Sequence, residues 1–276
     1  MKALAKDTAI YGISSIVGKF LNFLLVPFYT YKLENTADYG IVTNLYAWTA
    51  LLLVILTYGT ETGFFRFANK NGYNALTVYK TTFFTVLTTS VIFAVLCLIF
   101  QQPIANGLGY PDHSNFIAMM AVVVAMDAFS SIPFAFLRFQ KRPIVFASLK
   151  FLFIALNITL NIFFFVGLQK QDVVYVFISN ILATSIETCI LIPFTLPKGG
   201  SYNWSTLKDI LRYSLPLLIL GIAGIMNQTL DRILFPFLYT GPDAQAQLGI
   251  YGACFKVAMV MMMFTQAFRY AYEPFV

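Results

Sequence analysis

Residues 10–41 read IYGISSIVGKFLNFLLVPFYTYKLENTADYGI, and residues 219–250 read ILGIAGIMNQTLDRILFPFLYTGPDAQAQLGI. Laid on one another without a gap, at an offset of 209, they agree in 11 of 32 columns. The matches are Ile10/Ile219, Gly12/Gly221, Ile13/Ile222, Ile16/Ile225, Leu21/Leu230, Leu25/Leu234, Pro27/Pro236, Phe28/Phe237, Ala37/Ala246, Gly40/Gly249 and Ile41/Ile250. Apolar composition alone produces matched Ile and Leu. Matched Gly and Pro are harder to obtain by chance, because these residues mark helix contacts, kinks and turns. The chain therefore contains an internal repeat.

Each copy is a run long enough to cross a bilayer, which takes about 20 mainly apolar residues. Eight such runs are expected, at 9–31, 40–64, 82–101, 116–137, 149–168, 173–195, 213–239 and 249–271. Composition agrees. Hydrophobic residues make up 59% of the chain, charged residues 11%, and the mean hydropathy is +0.74. Soluble domains carry about 25% charged residues, so this chain has too few to cover a water-facing surface. The fold class is all-α integral membrane.

Six spans separate the copies, an even number, so both point the same way through the membrane. Such a parallel repeat is related by an axis along the membrane normal. It predicts a six-helix lobe over 1–198 and the first two helices of a second lobe over 199–276, with the rest of that lobe absent from the sequence or supplied by a partner. Basic residues set the orientation. With the N-terminus inside, the inner segments hold Lys2, Lys6, Arg66, Lys70, Lys80, Arg138, Lys141, Arg142, Lys150, Lys198, Lys208 and Arg212, and the outer loops hold only Lys32 and Lys170. Dispersed in this way, the net charge of +6 is a topology signal and not a nucleic-acid patch.

Ionisable residues inside spans mark pathways or pairs. Ser15, Lys19, Asn22 and Tyr29 share one face of the first span, and Gly224, Gln228 and Asp231 repeat Ser15, Lys19 and Asn22 on the seventh. These stripes are expected to face each other across a water-filled cavity, joined by Arg232 and Lys256. Neighbours in sequence point about 100° apart on a helix, so Asp231 and Arg232 need not pair. Arg232 also lies near the outer end of its span, within reach of the interface. Arg269 has Glu273 four residues on, a helix-face pair. Asp127, on a face with Ser131 and Arg138, is either a coupling acid or a buried partner for Lys19. Glu61 is expected to pair with Arg66 at the interface; Glu187 lines up with Asn180 and Thr184, and Asn157 with Asn161, and helix–helix hydrogen bonding explains these Asn residues as well as a transport role does. The deep cations exceed the deep acids, which favours an anionic ligand, and a diphosphate suits Lys and Arg.

Several classes are disfavoured. The three cysteines (Cys97, Cys189, Cys254) and the single His113 have no metal-ligand or disulfide spacing. No nucleotide-binding motif is present, so ATP is not expected to be the direct energy source in this chain, and no metal or cofactor is expected. With no cluster of His, Asp and Glu, a membrane glycan polymerase or acyltransferase lacks its base and nucleophile.

Several short motifs together resemble a known family. They are the start Lys6-Asp7-Thr8-Ala9-Ile10-Tyr11-Gly12, the kinked Phe23-Leu24-Leu25-Val26-Pro27-Phe28-Tyr29, and the helix entry Asp38-Tyr39-Gly40. Tyr213-Ser214-Leu215-Pro216 and the stretch Asn227 to Arg232 complete the set. The chain resembles Wzx-type polysaccharide and O-antigen flippases of the multidrug/oligosaccharidyl-lipid/polysaccharide exporter superfamily. The resemblance implies two lobes of about 12 to 14 helices in all around a central cavity, with alternating access. It further implies export of an undecaprenyl-diphosphate-linked oligosaccharide across the bacterial inner membrane for lipopolysaccharide synthesis. Membrane lipid and other polysaccharide-assembly membrane proteins would be the partners. The alternative within the superfamily is a cation-coupled multidrug antiporter. That protein would place a carboxylate on the first helix, where this chain has none between Asp7 and Glu34.

Overall fold

The computed structural model describes residue 21, residues 23–239 and residues 241–272. Its elements are α1 (residues 23–32), α2 (Thr36–Thr57), α3 (Thr60–Ala68), α4 (Ala75–Ile99), α5 (Gln101–Gly107), α6 (Ser114–Phe139), α7 (Pro143–Ile162), α8 (Val174–Thr195), α9 (Trp204–Leu238) and α10 (Ala244–Tyr272). A π-helical turn, Phe163–Gly167, prolongs α7. Six stretches among the described residues are long and apolar enough to span a membrane: Thr36–Ala68, Ala75–Ile99, Ser114–Phe139, Pro143–Gly167, Val174–Thr195 and Trp204–Leu238. They match the second to seventh expected spans. The first falls largely on residues outside the described set, and the eighth coincides with α10. This is a multi-pass membrane protein.

Local chemistry sets the helix starts. Asn74 caps α4, its Oδ1 accepting from the amides of Leu76 (2.9 Å) and Thr77 (3.3 Å), and Asn203 caps α9 through the amide of Thr206 (3.0 Å). Pro143 opens α7, a position where its missing N–H costs nothing. Helix α6 is the hub, packed on α2, α3, α4, α7 and α8. In the most apolar stretch of α6, 78% of the residues are buried by neighbouring helices, against 22% in α4 and 11% in α9. The last two are covered far less by the other described helices.

The second span is not the unbroken helix expected over 40–64. Tyr58 (φ 34°) and Gly59 (φ 69°) both adopt left-handed backbone and divide it into α2 and α3. Thr60 Oγ1 answers the freed Thr57 carbonyl (2.7 Å), and Thr57 Oγ1 bonds back to Leu53 O one turn earlier (2.9 Å). The break turns α3 onto α9. Here a Cβ on Gly59 would stand 3.0 Å from the Ser214 carbonyl oxygen, and one on Gly63 would overlap the Ser214 hydroxyl.

The repeat has a direct structural expression. Helices α2 and α10 cross so closely that a Cβ on Gly40 would overlap the carbonyl oxygen of Gln245, and one on Gly249 that of Thr36. Gly40 and Gly249 are partners under the 209-residue shift, and so are Thr36 and Gln245. A third such pair, Thr43 and Gly252, also meets, with room for no side chain on the glycine. Residue i touches residue i+209 and the contact repeats itself in reverse, as a pseudo-twofold axis between the two helices demands.

Candidate substrate cavity

A cavity of about 370 Å³ opens among α1, α2, α7, α8, α9 and α10. Its walls are apolar at Leu25, Val26, Val42, Ala47 and Phe153, with aromatic hydroxyls from Tyr29, Tyr39 and Tyr46. The polar groups are Asn157, Asn180, Gln228 and Thr229, and the charges are Arg232 and Lys256. No carboxylate lines it among the described residues. The space is therefore cationic.

Arg232 is held on all sides and is only 8% exposed. Its guanidinium lies 4.0 Å from the centre of the Phe255 ring, donates to the Gln228 carbonyl, and meets Asp231 Oδ1 at 3.5 Å. Its own carbonyl also has a partner from across the structure. Pro236 has no N–H to give to the carbonyl four residues back, and that carbonyl belongs to Arg232. Asn44 Nδ2 of α2 donates to it instead, at 2.6 Å. Tyr110 Oη donates to Asn44 Oδ1 at 3.1 Å. Burial pushes Tyr110 up to about 12, so it stays protonated and keeps donating.

Of the residues singled out in the sequence, the structure brings Gln228, Arg232 and Lys256 together in this cavity, but not the rest of the stripe. Asp231 stands off the cavity, its carboxylate accepting from Tyr251 Oη and pairing with Arg232. The lining face of α9 is Ile225, Gln228, Thr229 and Arg232, one position round from Gly224, Gln228 and Asp231. Asp231 and Arg232, which as sequence neighbours need not pair, do pair here. The long Arg232 side chain bends back across the gap of about 100° to reach the short Asp231 carboxylate. The burial of Arg232 corrects its expected reach to the interface. Ser15, Lys19 and Asn22, and the side chains of Arg269 and Glu273, lie outside the described residues.

Comparison with known proteins places this architecture. Residues 4–270 match the family model described as "Polysaccharide biosynthesis protein". The chain belongs to the polysaccharide biosynthesis protein family. A curated relative, a protein of the Lsg locus of Haemophilus influenzae, is 23% identical over 98% of this chain, which spans 65% of that relative's length. Among solved structures, the fold is similar to that of the MATE multidrug transporter DinF-BH. That match has 17% identity and a TM-score of 0.72, covering 95% of this chain and 61% of the other. A MOP superfamily transporter from Pyrococcus furiosus is similar at 15% identity and a TM-score of 0.61, covering 95% of this chain and 65% of its own. At these identities the likeness is one of fold.

The chain has a second charged cavity, of about 390 Å³, between α2–α3, α6, α7 and α8. It holds Glu61, Asp127, Arg138, Lys150 and Glu187, and Phe153 lines both cavities as a shared wall. Arg138 Nη2 meets Glu61 Oε1 at 2.6 Å, and Lys150 Nζ meets Glu187 Oε1 at 3.1 Å while lying 3.8 Å from the centre of the Phe134 ring. Two expectations are corrected here. Glu61 pairs with Arg138, because the break at Tyr58–Gly59 turns α3 toward α6, while Arg66 stacks on Tyr213 at 4.3 Å. Lys150 belongs to a span and not to an inner loop, since α7 begins at Pro143. The proline was the signal for it. Asp127 faces this cavity beside Lys150, with no hydrogen bond to another described residue. Asn44, by contrast, left no sequence signal beyond being an Asn in an apolar run.

Proposed function

We propose that this chain translocates an undecaprenyl-diphosphate-linked oligosaccharide across the bacterial cytoplasmic membrane by alternating access. Residues 1–198 would form one lobe and residues 199–276 would begin the second. One observation carries the reading: the cavity between the repeat-related helices presents Arg232 and Lys256 and no carboxylate among the described residues. An anionic linker is attracted there, and a cationic drug repelled, in a medium where Coulomb terms exceed those in water. The polar seam of Tyr46, Asn157, Asn180 and Gln228 suits sugar hydroxyls, while the polyprenyl tail stays in lipid. Lys19, which the repeat aligns with Gln228, is proposed as a further cation on this path, with Ser15 and Asn22 beside it. Export of O-antigen units for lipopolysaccharide, in contact with other assembly proteins, follows from the same reading. The superfamily alternative, a cation-coupled multidrug antiporter, draws its support from Asp127, but the cationic cavity weighs against it.

The decisive experiment measures glycan export in cells lacking their own flippase, with membrane protein level followed in parallel. Lys256→Gln should lower export roughly tenfold, the loss of one charge-assisted contact, and Lys256→Arg should retain most of it. Export by Lys256→Gln at the wild-type rate and protein level would remove the diphosphate role. Orientation has its own check. Single cysteines at Asn71, Gln140 and Asn203 in a Cys-free background should resist an impermeant thiol reagent until cells are lysed. Labelling in intact cells would reverse the assigned direction.

A further inference from the structure

Away from both cavities, where α3 ends and α9 begins, a notch of about 320 Å³ is lined by Arg66, Phe67, Lys70, Tyr73, Asp209, Arg212 and Tyr213. We propose that this notch binds the phosphate of an anionic phospholipid, with Arg66, Lys70 and Arg212 as its cationic rim. The proposal is independent of what the central cavity carries.

Charge is the first argument. Three cations and one carboxylate share the notch, and the carboxylate, Asp209, already accepts from Tyr73 Oη at 2.8 Å. Within the spans, Arg138, Lys150 and Arg232 each have a carboxylate partner. Arg66, Lys70 and Arg212 have none among the described residues. Like charges gathered in one recess repel unless an anion joins them, and an Arg fork with neighbouring ammonium groups matches phosphate oxygens.

Order is the second argument. The Arg66 guanidinium sits 4.3 Å from the centre of the Tyr213 ring, and Lys70 Nζ lies 5.4 Å from the rings of both Phe67 and Tyr73. These contacts hold the stems in place before a ligand arrives, so less side-chain entropy is lost on binding.

Depth in the bilayer is the third, and it selects a lipid over a dissolved anion. Helix α9 has 35 residues, which is about 52 Å at 1.5 Å per residue, against a hydrocarbon core of about 30 Å. Its first turns, with Lys208, Asp209 and Arg212, therefore project to headgroup level, and the apolar run starts at Tyr213. Tyr73 and Tyr213 give the notch the aromatic floor found at membrane interfaces. Arg212, Leu215 and Ile219 follow one face of α9, and Leu215 and Ile219 are 49% and 70% exposed. A phosphate seated on Arg212 would thus lead its acyl chains onto an apolar track.

The test is thermal unfolding of the purified full chain in a neutral detergent with added dioctanoyl phosphatidylglycerol, dioctanoyl phosphatidylcholine or inorganic pyrophosphate. Phosphatidylglycerol should raise the midpoint well above the phosphatidylcholine value. Arg212→Gln should weaken its apparent affinity about tenfold, and Arg66→Gln/Lys70→Gln/Arg212→Gln should abolish the difference between lipids. Lys141→Gln/Arg142→Gln, which removes two cations from another loop, should leave the shift intact. Equal shifts from the two lipids would overturn the proposal, as would loss of the shift in the Lys141/Arg142 variant. A shift of the same size with pyrophosphate at matched concentration would make it a free-phosphate site and refute the lipid. Should the triple variant fail to fold, native mass spectrometry of phosphatidylglycerol retained by wild type and Arg212→Gln decides on the same terms.

Discussion

The two charged cavities share Phe153 as a wall and arrange the same kinds of residue in opposite ways. In the cavity of α6, α7 and α8, both cations are tied to carboxylates, and three acids face two bases. In the cavity between α2, α9 and α10, Lys256 lines the space with no carboxylate partner among the described residues, and Arg232 is paired only from outside it, by Asp231, which also accepts from Tyr251. Paired charge in a low-dielectric interior fixes helices to one another, whereas unpaired charge on a cavity wall is available to a ligand. The first arrangement is structural in its physics and the second receptive.

The largest expected effect breaks the paired side. Lys150→Met leaves Glu187, whose side chain is 3% exposed, without its cation and beside Asp127. Lys150 itself is 38% exposed, so the expected loss is about 2–3 kcal/mol, at or below the range for a fully buried pair stripped of one member. Thermal unfolding in detergent should show it, and Lys150→Met/Glu187→Gln should recover most of it. A single variant as stable as wild type would mean the pair holds nothing together.

Next comes the scaffold of the receptive side. Asn44→Ala deprives the Arg232 carbonyl of the donor that stands in for the N–H Pro236 lacks, at about 2 kcal/mol for a buried unsatisfied acceptor. Pro236→Ala in that background should restore part of the stability by returning the helical N–H. If Asn44→Ala is neutral in unfolding measurements, Arg232 is positioned by other contacts.

Lys256→Gln, already expected to reduce export roughly tenfold, should move the unfolding midpoint by less than about 1 kcal/mol, because no partner is stranded. Separation of export from stability is what distinguishes this cavity from its neighbour. A Lys256 variant that unfolds as readily as Lys150→Met would erase the contrast.

The smallest effect belongs to Asp231→Asn. The carboxylate is 37% exposed and 3.5 Å from Arg232, so its loss should cost well under about 1 kcal/mol. Export should be retained or slightly raised, since the cavity becomes more cationic. Abolished export at normal protein level would return Asp231 to the transport path.

How much of this was legible beforehand depends on the kind of information involved. Spans are sums over consecutive residues, so apolar runs located the second to seventh without any knowledge of packing. The repeat was legible because an axis relating two helices forces matched residues into contact: Gly40 and Gly249 are conspicuous as glycines at a fixed offset, while the meeting of Thr43 with Gly252, beyond the matched segment, only the structure revealed. Gln228, Arg232 and Lys256 were findable as polar groups inside apolar runs. Tertiary structure alone decided who pairs with whom. Glu61 passes over Arg66, five residues away, for Arg138, 77 residues away, because the left-handed step at Tyr58–Gly59 redirects α3. The same holds for the partner of the Arg232 carbonyl, 188 residues distant in Asn44. One residue of rotation on α9, about 100°, was enough to put Arg232 in the cavity and Asp231 outside it. Hydropathy fixes how deep a residue lies along its helix, but the direction it faces is set by the helices packed around it.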